Sequence, residues 1–263
     1  SGGGVNIPTP TATLSLGSST IAGGLLALPG NLGISGGLLS SGSTGDLVFH
    51  AVGDLAVASS IVGSFNVVKT GPGTMRLFGV GYSAGHTALN QGTLLLNAGN
   101  NTLGGVFNTN NYLIVNGGRL DLAGNAQYVS ALFSDNPVRD GGGVVTGSSG
   151  SVLAMNHDGV TRNWSGQLTG ELGLQRGGAG VSVFYSDNDY TGPTLVSGGQ
   201  MTLLDGGRLS RTSSLTISFA TLNLNEQGAS ASSDRVNDTA QIKLNGARVY
   251  YLGRPQQASR ETL

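Results

Sequence analysis

Between Phe65 and Asn100 the chain reads FNVVKTGPGTMRLFGVGYSAGHTALNQGTLLLNAGN. It holds two short apolar segments, Met75-Arg76-Leu77-Phe78 and Thr93-Leu94-Leu95-Leu96. A glycine opens each nearby (Gly73, Gly92) and another closes it (Gly79, Gly99). Their spacing is about one turn of a β-solenoid. The pattern returns from Gly170 to Gly207, where GELGLQRGGAGVSVFYSDNDYTGPTLVSGGQMTLLDGG lies over the first copy with few gaps. Tyr82 then faces Tyr190, Gly85 faces Gly192, Thr87 faces Thr194, Leu89 faces Val196, Gly92 faces Gly199 and Leu96 faces Leu203. A coiled all-β repeat is the expected architecture.

The rest of the chain carries the same punctuation. From Thr11 to Ser41 apolar bursts (TATLSLG, TIAGGLLALPG, NLGISGGLL) are each ended or interrupted by glycine, as short strands require. A helix here would lose about 1 kcal/mol at every internal glycine relative to alanine. With 46 glycines, 7 prolines and only 10 % charged residues, the chain departs from the roughly one-quarter charge of ordinary domains. Plentiful Leu, Val and Ile set it apart from disordered chains.

Several function classes are disfavoured. A net charge of −1 and the absence of any Lys/Arg run offer no field for nucleic acid or an anionic membrane. There is no cysteine for a disulfide or a thiolate metal site. No apolar run reaches the roughly 18 residues of a membrane helix, and no signal peptide opens the sequence. It starts at SGGGV and stops at ASRETL, which reads as an excised segment with no direct membrane insertion of its own.

Asn100, Asn101, Asn108, Asn110 and Asn111 suit solenoid corners, because asparagine tolerates left-handed backbone and bonds neighbouring main chain. Asn136 to Gly150 is the least patterned stretch and reads as a surface loop or a looser coil. The polar insert Glu226 to Asp238 reads as a protruding loop. The expectation is one continuous solenoid over residues 1–263, of about 11 to 13 coils at roughly 20 to 25 residues each.

The first copy resembles the autotransporter-associated β-strand repeat. Lys69, Gly71, Gly73, Thr74, Leu77, Gly79, Tyr82, Gly85, Thr87, Gly92, Leu94 and Leu96 sit where that pattern asks. The second copy departs from it at Gln175-Arg176, Val181 and Ser186 and returns to it at Asn188-Asp189-Tyr190-Thr191-Gly192. The resemblance implies a right-handed parallel β-helix, secreted and displayed at a bacterial surface. Such segments are commonly the passenger of a type V autotransporter whose outer-membrane anchor lies outside the segment. It implies architecture more firmly than activity.

The densest acidic cluster is Asp187-Asn188-Asp189, with Asp205 nearby, and it reads first as an Asx-rich corner. His50, His86 and His157 form no spaced metal pair. Gly-x-Ser-x-Gly occurs at Gly81 to Gly85 and at Gly33 to Gly37, but neither is followed by the helix a nucleophile elbow needs. Trp164 reads as a packing residue before a sugar platform. Tyr82, Tyr190, Tyr250 and Tyr251 have faces suited to carbohydrate, although the first two belong to the repeat.

No catalytic, cofactor or metal residue is assigned. Asp187, Asp189, Tyr190 and Trp164 are the candidate ligand contacts. The function expected is a structural and adhesive segment whose partners are glycans, matrix or sister-cell surface proteins, or its own copies. A passive spacer, a self-assembling fibre unit and a polysaccharide-acting enzyme using Asp187, Asp189 and Arg176 are the alternatives.

Overall fold

The computed structural model describes residues 3–83, 85–104, 111–230 and 232–263, with the backbone alone for residues 82 and 83. The described residues contain no helix, and every pairing between strands is parallel. Strands stack into three faces that the chain visits in rotation. The first face is an eight-stranded sheet from Gly3–Ile7 to Gln167–Gly170. The second begins with four strands, from Thr13–Leu16 to Gly81–Ser83. The third begins with six, from Gly23–Ala27 to Ala131–Phe133.

Alternation decides which side chains fill the interior. In Thr74–Leu77 and Thr93–Leu96 every second residue is buried, and in-register pairing places Met75 between Leu55 and Leu94, and Leu77 between Val57 and Leu96. Each inward leucine is therefore covered by the rungs above and below, where burial contributes about 1.5–3 kcal/mol per side chain. Stability of such a stack is a sum over neighbouring rungs.

Along the first face, through Asp187–Asn188 and Arg208–Leu209, the strands make about nine turns. This corrects the expected 11 to 13 coils. Register partners set turns of 29 residues from Gly3 to Leu32 and 26 from Leu94 to Leu120, against 20 from Leu55 to Met75. Insertions at corners lengthen turns without adding rungs.

From residue 152 onward the geometry changes at one corner. Val152–Trp164 and Gly173–Phe184 each run unbroken from the second face into the third, paired along their length with a register shift between Asp158 and Thr161. The later rungs separate again, Thr194–Ser197 and Gln200–Leu204 pairing with the two halves of Gly173–Phe184.

The asparagine corners behave as expected where they are described. Asn100 Oδ1 accepts from Ala126 N–H at 2.8 Å, and Asn101 Oδ1 from Tyr128 N–H at 2.9 Å, with Asn101 at φ 55°. Buried Asn111 donates to Gly104 O and Tyr128 O. Asn108 and Asn110 lie outside the described residues. The stretch from Asn136 to Gly150 divides into an exposed loop and a true rung strand, Val144–Gly147. The Glu226 to Asp238 insert is pinned at both ends by a buried ion pair, Arg235 Nε to Glu226 Oε1 at 2.5 Å, before Val236 bridges Leu209.

Candidate functional site

Each copy of the repeat holds a cation inside the solenoid. Lys69 is fully buried at the corner between third and first faces, and its ammonium donates to Thr70 O at 2.8 Å, Gly71 O at 2.7 Å and Gln91 O at 3.1 Å. The first two carbonyls belong to its own corner and the third to the next rung. Arg176 is 1 % exposed and does the same at the corner between second and third faces. Its guanidinium donates to Gly178 O at 2.8 Å, Ala179 O at 3.0 Å and Gly180 O at 2.7 Å on its own corner, and to Gly198 O on the next rung. Burial pulls Lys69 down to about 8 and Arg176 to about 10, so both remain cationic at neutral pH.

Gly92 and Gly199 make room for these cations. Both have positive φ, +74° and +57°. A Cβ on Gly92 would stand 2.8 Å from Lys69 Nζ and 2.5 Å from Gly73 O. One on Gly199 would run into Arg176 Nη1 and stand 2.6 Å from Gly180 O. The clamp is thus a cation and a glycine from adjacent rungs, holding carbonyls of corner residues that strand pairing with the next rung does not reach.

A second cluster lies where the long strands bend. Asp158 accepts from Arg162 Nη2 at 2.6 Å and from Tyr112 Oη at 2.9 Å. The Arg162 guanidinium carbon sits 4.4 Å from the Tyr112 ring centre and 4.8 Å from that of Phe133. Burial pushes the Asp158 carboxyl up, but bonds from Arg162, Tyr112 and Val160 N–H outweigh it and hold the group below its usual value. Beneath lies His157, 5 % exposed, with both ring nitrogens lacking hydrogen-bond partners. Burial first, and the nearby Arg176 charge second, lower it to about 4. No sequence pattern marks this cluster, because Tyr112 and Asp158 are 46 residues apart and meet only through the stack.

The candidate contacts drawn from the sequence are placed as follows. Trp164 is fully enclosed, its Nε1 donating to Asn188 Oδ1 at 3.2 Å. Tyr190 is also enclosed, its hydroxyl 2.5 Å from Thr194 Oγ1, and burial raises it far above its ordinary value. Neither ring offers a face to solvent. Asp187 and Asp189 flank the inward Asn188 on the first face, half-buried, each with one carboxylate oxygen lacking a partner. Arg176 spends its bonds on corner carbonyls and on Ser182 Oγ, so the three proposed acid–base groups do not converge. Among the described residues no group of three or more His, Cys, Asp or Glu is placed to hold a metal. Ser35 of one Gly-x-Ser-x-Gly stretch lies exposed in the strand Asn31–Gly36, while the side chains of Tyr82, Ser83 and Ala84 in the other lie outside the described residues.

The second face carries a groove of about 390 Å³ that crosses successive rungs from Val152 to Thr216. Val152 and Gly173 are register partners in one outward column, with Pro193 on the next rung; Gln175, Leu195 and Thr216 form the column beside it. Glu171 at the rim is the groove's sole titratable side chain.

No protein-family model matches the chain, and no solved structure does. An autotransporter adhesin of Brucella suis biovar 1 (strain 1330), the adhesin BmaC autotransporter, is 30 % identical over an alignment of 235 residues. That alignment covers 78 % of this chain and 7 % of the relative, so the chain corresponds to a small part of that protein's length. In sequence this chain is similar to an autotransporter adhesin, and its parallel β-solenoid fits the autotransporter β-helix that its two repeat copies resemble.

Proposed function

We propose that this chain is an adhesive passenger segment of a secreted, surface-displayed bacterial protein, presenting its solenoid faces to glycans, matrix or sister-cell surface proteins. The similarity to an autotransporter adhesin over 78 % of the chain carries this reading, and the parallel stack supports it. In such a segment, contacts come from extended outward ladders on successive rungs. The outer-membrane anchor belongs to a part of the protein outside this sequence. No described helix is long and apolar enough to cross a membrane. The reading treats the chain as non-enzymatic, supported by the separation of Arg176 from Asp187 and Asp189.

The test is binding of the folded chain to immobilised glycans, matrix proteins and whole bacterial cells. Saturable binding to any of these is the expected outcome. Silence across all three, from a chain with a strong β signal, would overturn adhesion in favour of a passive spacer.

A further inference from the structure

We infer that the second-face groove around Gly173 is a binding site for an uncharged oligosaccharide lying along the stack; this rests on the adhesive reading and names its ligand class. The depth comes from one missing side chain. Val152 precedes Gly173 in its outward column and Pro193 follows it, so the glycine opens a notch between two apolar walls. A Cβ on Gly173 would have Pro193 Cδ at 3.4 Å as a nearest neighbour, and this glycine is not among those with positive φ. The notch is therefore not required by the backbone, unlike the clamp glycines Gly92 and Gly199.

The lining matches the two-sided chemistry of a neutral sugar. Val152, Pro193 and Leu195 offer apolar surface to ring C–H groups, while Gln175 and Thr216 offer amide and hydroxyl groups to sugar hydroxyls. A cavity of about 390 Å³ lies within the usual range for small-ligand sites, which combine apolar walls with a few polar groups. Four rungs spaced by roughly 4.8 Å give a length of about 14 Å, enough for a short chain of sugar rings. Charge sets the class: no Lys, Arg or His lines the groove to neutralise a uronate, sulfate or sialate, and Glu171 at the rim repels them.

The experiment titrates the 263-residue chain with neutral linear tri- and tetrasaccharides of glucose, galactose and N-acetylglucosamine, and with acidic counterparts bearing uronate or sulfate. The expected result is saturable binding of a neutral series, at least tenfold weaker in Gly173→Leu and several-fold weaker in Gln175→Ala. Val160→Ser, on the ridge between second and third faces, leaves it unchanged. Gly173→Leu is checked by its β signal and melting, and Gln175, on the exposed side of its strand, gives a second variant independent of folding. Neutral binding that survives in folded Gly173→Leu would overturn the site. Preference for the acidic series would overturn the ligand class. Binding to matrix proteins or cells with no neutral glycan bound would overturn this inference and leave the adhesive reading standing, whereas silence everywhere would remove both.

Discussion

The two repeat copies use one device at two different corners. Lys69 turns the chain from the third face to the first, whereas Arg176 turns it from the second to the third. In each, the cation binds carbonyls of its own corner and one of the next rung, and a left-handed glycine admits it. The offset between Lys69 and Arg176 recurs between Gln91 and Gly198, and between Gly92 and Gly199. The repeat is therefore not a face-specific unit. It is a strand–corner–strand unit that works wherever two faces meet, and the cation needs charge and reach more than a fixed identity. Arg176 reaches carbonyls across a wider corner, Gly178 to Gly180, where the ammonium of Lys69 serves Thr70 and Gly71.

Removing the cations tests that equivalence with the largest expected effect. Arg176→Met strands several buried carbonyls at once, and we expect a loss on the order of 3–5 kcal/mol in its local stack. Lys69→Met, with fewer acceptors, loses about 1–3 kcal/mol. Because a solenoid opens region by region, the readout is amide hydrogen exchange in the rungs flanking each corner. Equal losses, or loss spread over the whole chain, would break the idea of local clamps graded by acceptor number.

Acid sharpens the comparison. Each copy has a histidine on the preceding rung, but His50 lies exposed with its Nδ1 2.9 Å from Thr70 Oγ1, while His157 is buried beside Arg176 with no hydrogen-bond partner, its Nδ1 3.7 Å from Asp158 Oδ1. Burial lowers His157 to about 4, below its ordinary 6.5. As pH falls below 6.5 the unfolded chain takes the proton first, so the unfolded state binds more protons between 6.5 and about 4. The stability held by neutral His157 is complete above 6.5 and is lost progressively down to about 4, a total on the order of 3 kcal/mol. Protection of the Arg176 rungs, taken as the exchange rate relative to the intrinsic amide rate at each pH, should fall across that window in the native protein and stay flat in His157→Phe. An equal acid response around Lys69 would contradict the difference in burial.

The glycines come next. Gly199→Ala and Gly92→Ala each force a side chain into left-handed backbone and against the clamp, costing about 1–3 kcal/mol. Gly92→Ala is the more damaging, since its Cβ would meet two backbone carbonyls, Gly71 O and, at 2.5 Å, Gly73 O, where that of Gly199 meets one, Gly180 O at 2.6 Å, and the end of the Arg176 side chain. Adding Arg176→Met to Gly199→Ala should give less than the sum, as both act on one clamp. Strict additivity in hydrogen exchange would separate glycine from cation.

Much of this was legible beforehand. Glycine-bounded apolar tetrads and their recurrence lead to a coiled stack of short strands with alternate residues inward; that the rungs pair in parallel is what the resemblance to the autotransporter-associated repeat implies. The phase of the second copy was not legible: corner insertions such as those between Leu94 and Leu120 change the turn length, so equal motifs fall on different faces. Arg176 read as a departure from the repeat because the comparison was of residue identity, while the structure compares cation with cation. Trp164, read first as a packing residue, and Tyr190, a repeat residue, stood among the candidate ligand contacts only while their direction was unknown; the inward Asn188 and Thr194 that bond them settle it. Asp158, Arg162 and Tyr112 carry no local signal at all.

That last cluster bounds the comparison, since the first copy has no counterpart to it. The bend between Asp158 and Thr161 folds back over earlier rungs, with Arg162 stacked on Tyr112 and Phe133 and its side chain 22 % exposed. Partial exposure screens the Asp158 pair, so stacking and pairing together contribute about 1 kcal/mol. Arg162→Ala should therefore speed exchange at the bend and in the strand Tyr112–Val115 only modestly, and Arg162→Lys, which keeps charge but loses the planar stack, should recover part of it. If Arg162→Ala loosened the Arg176 corner as much as Arg176→Met does, the bend and the clamp would be one unit, and the second copy would owe its wider corner to the fold-back rather than to its arginine.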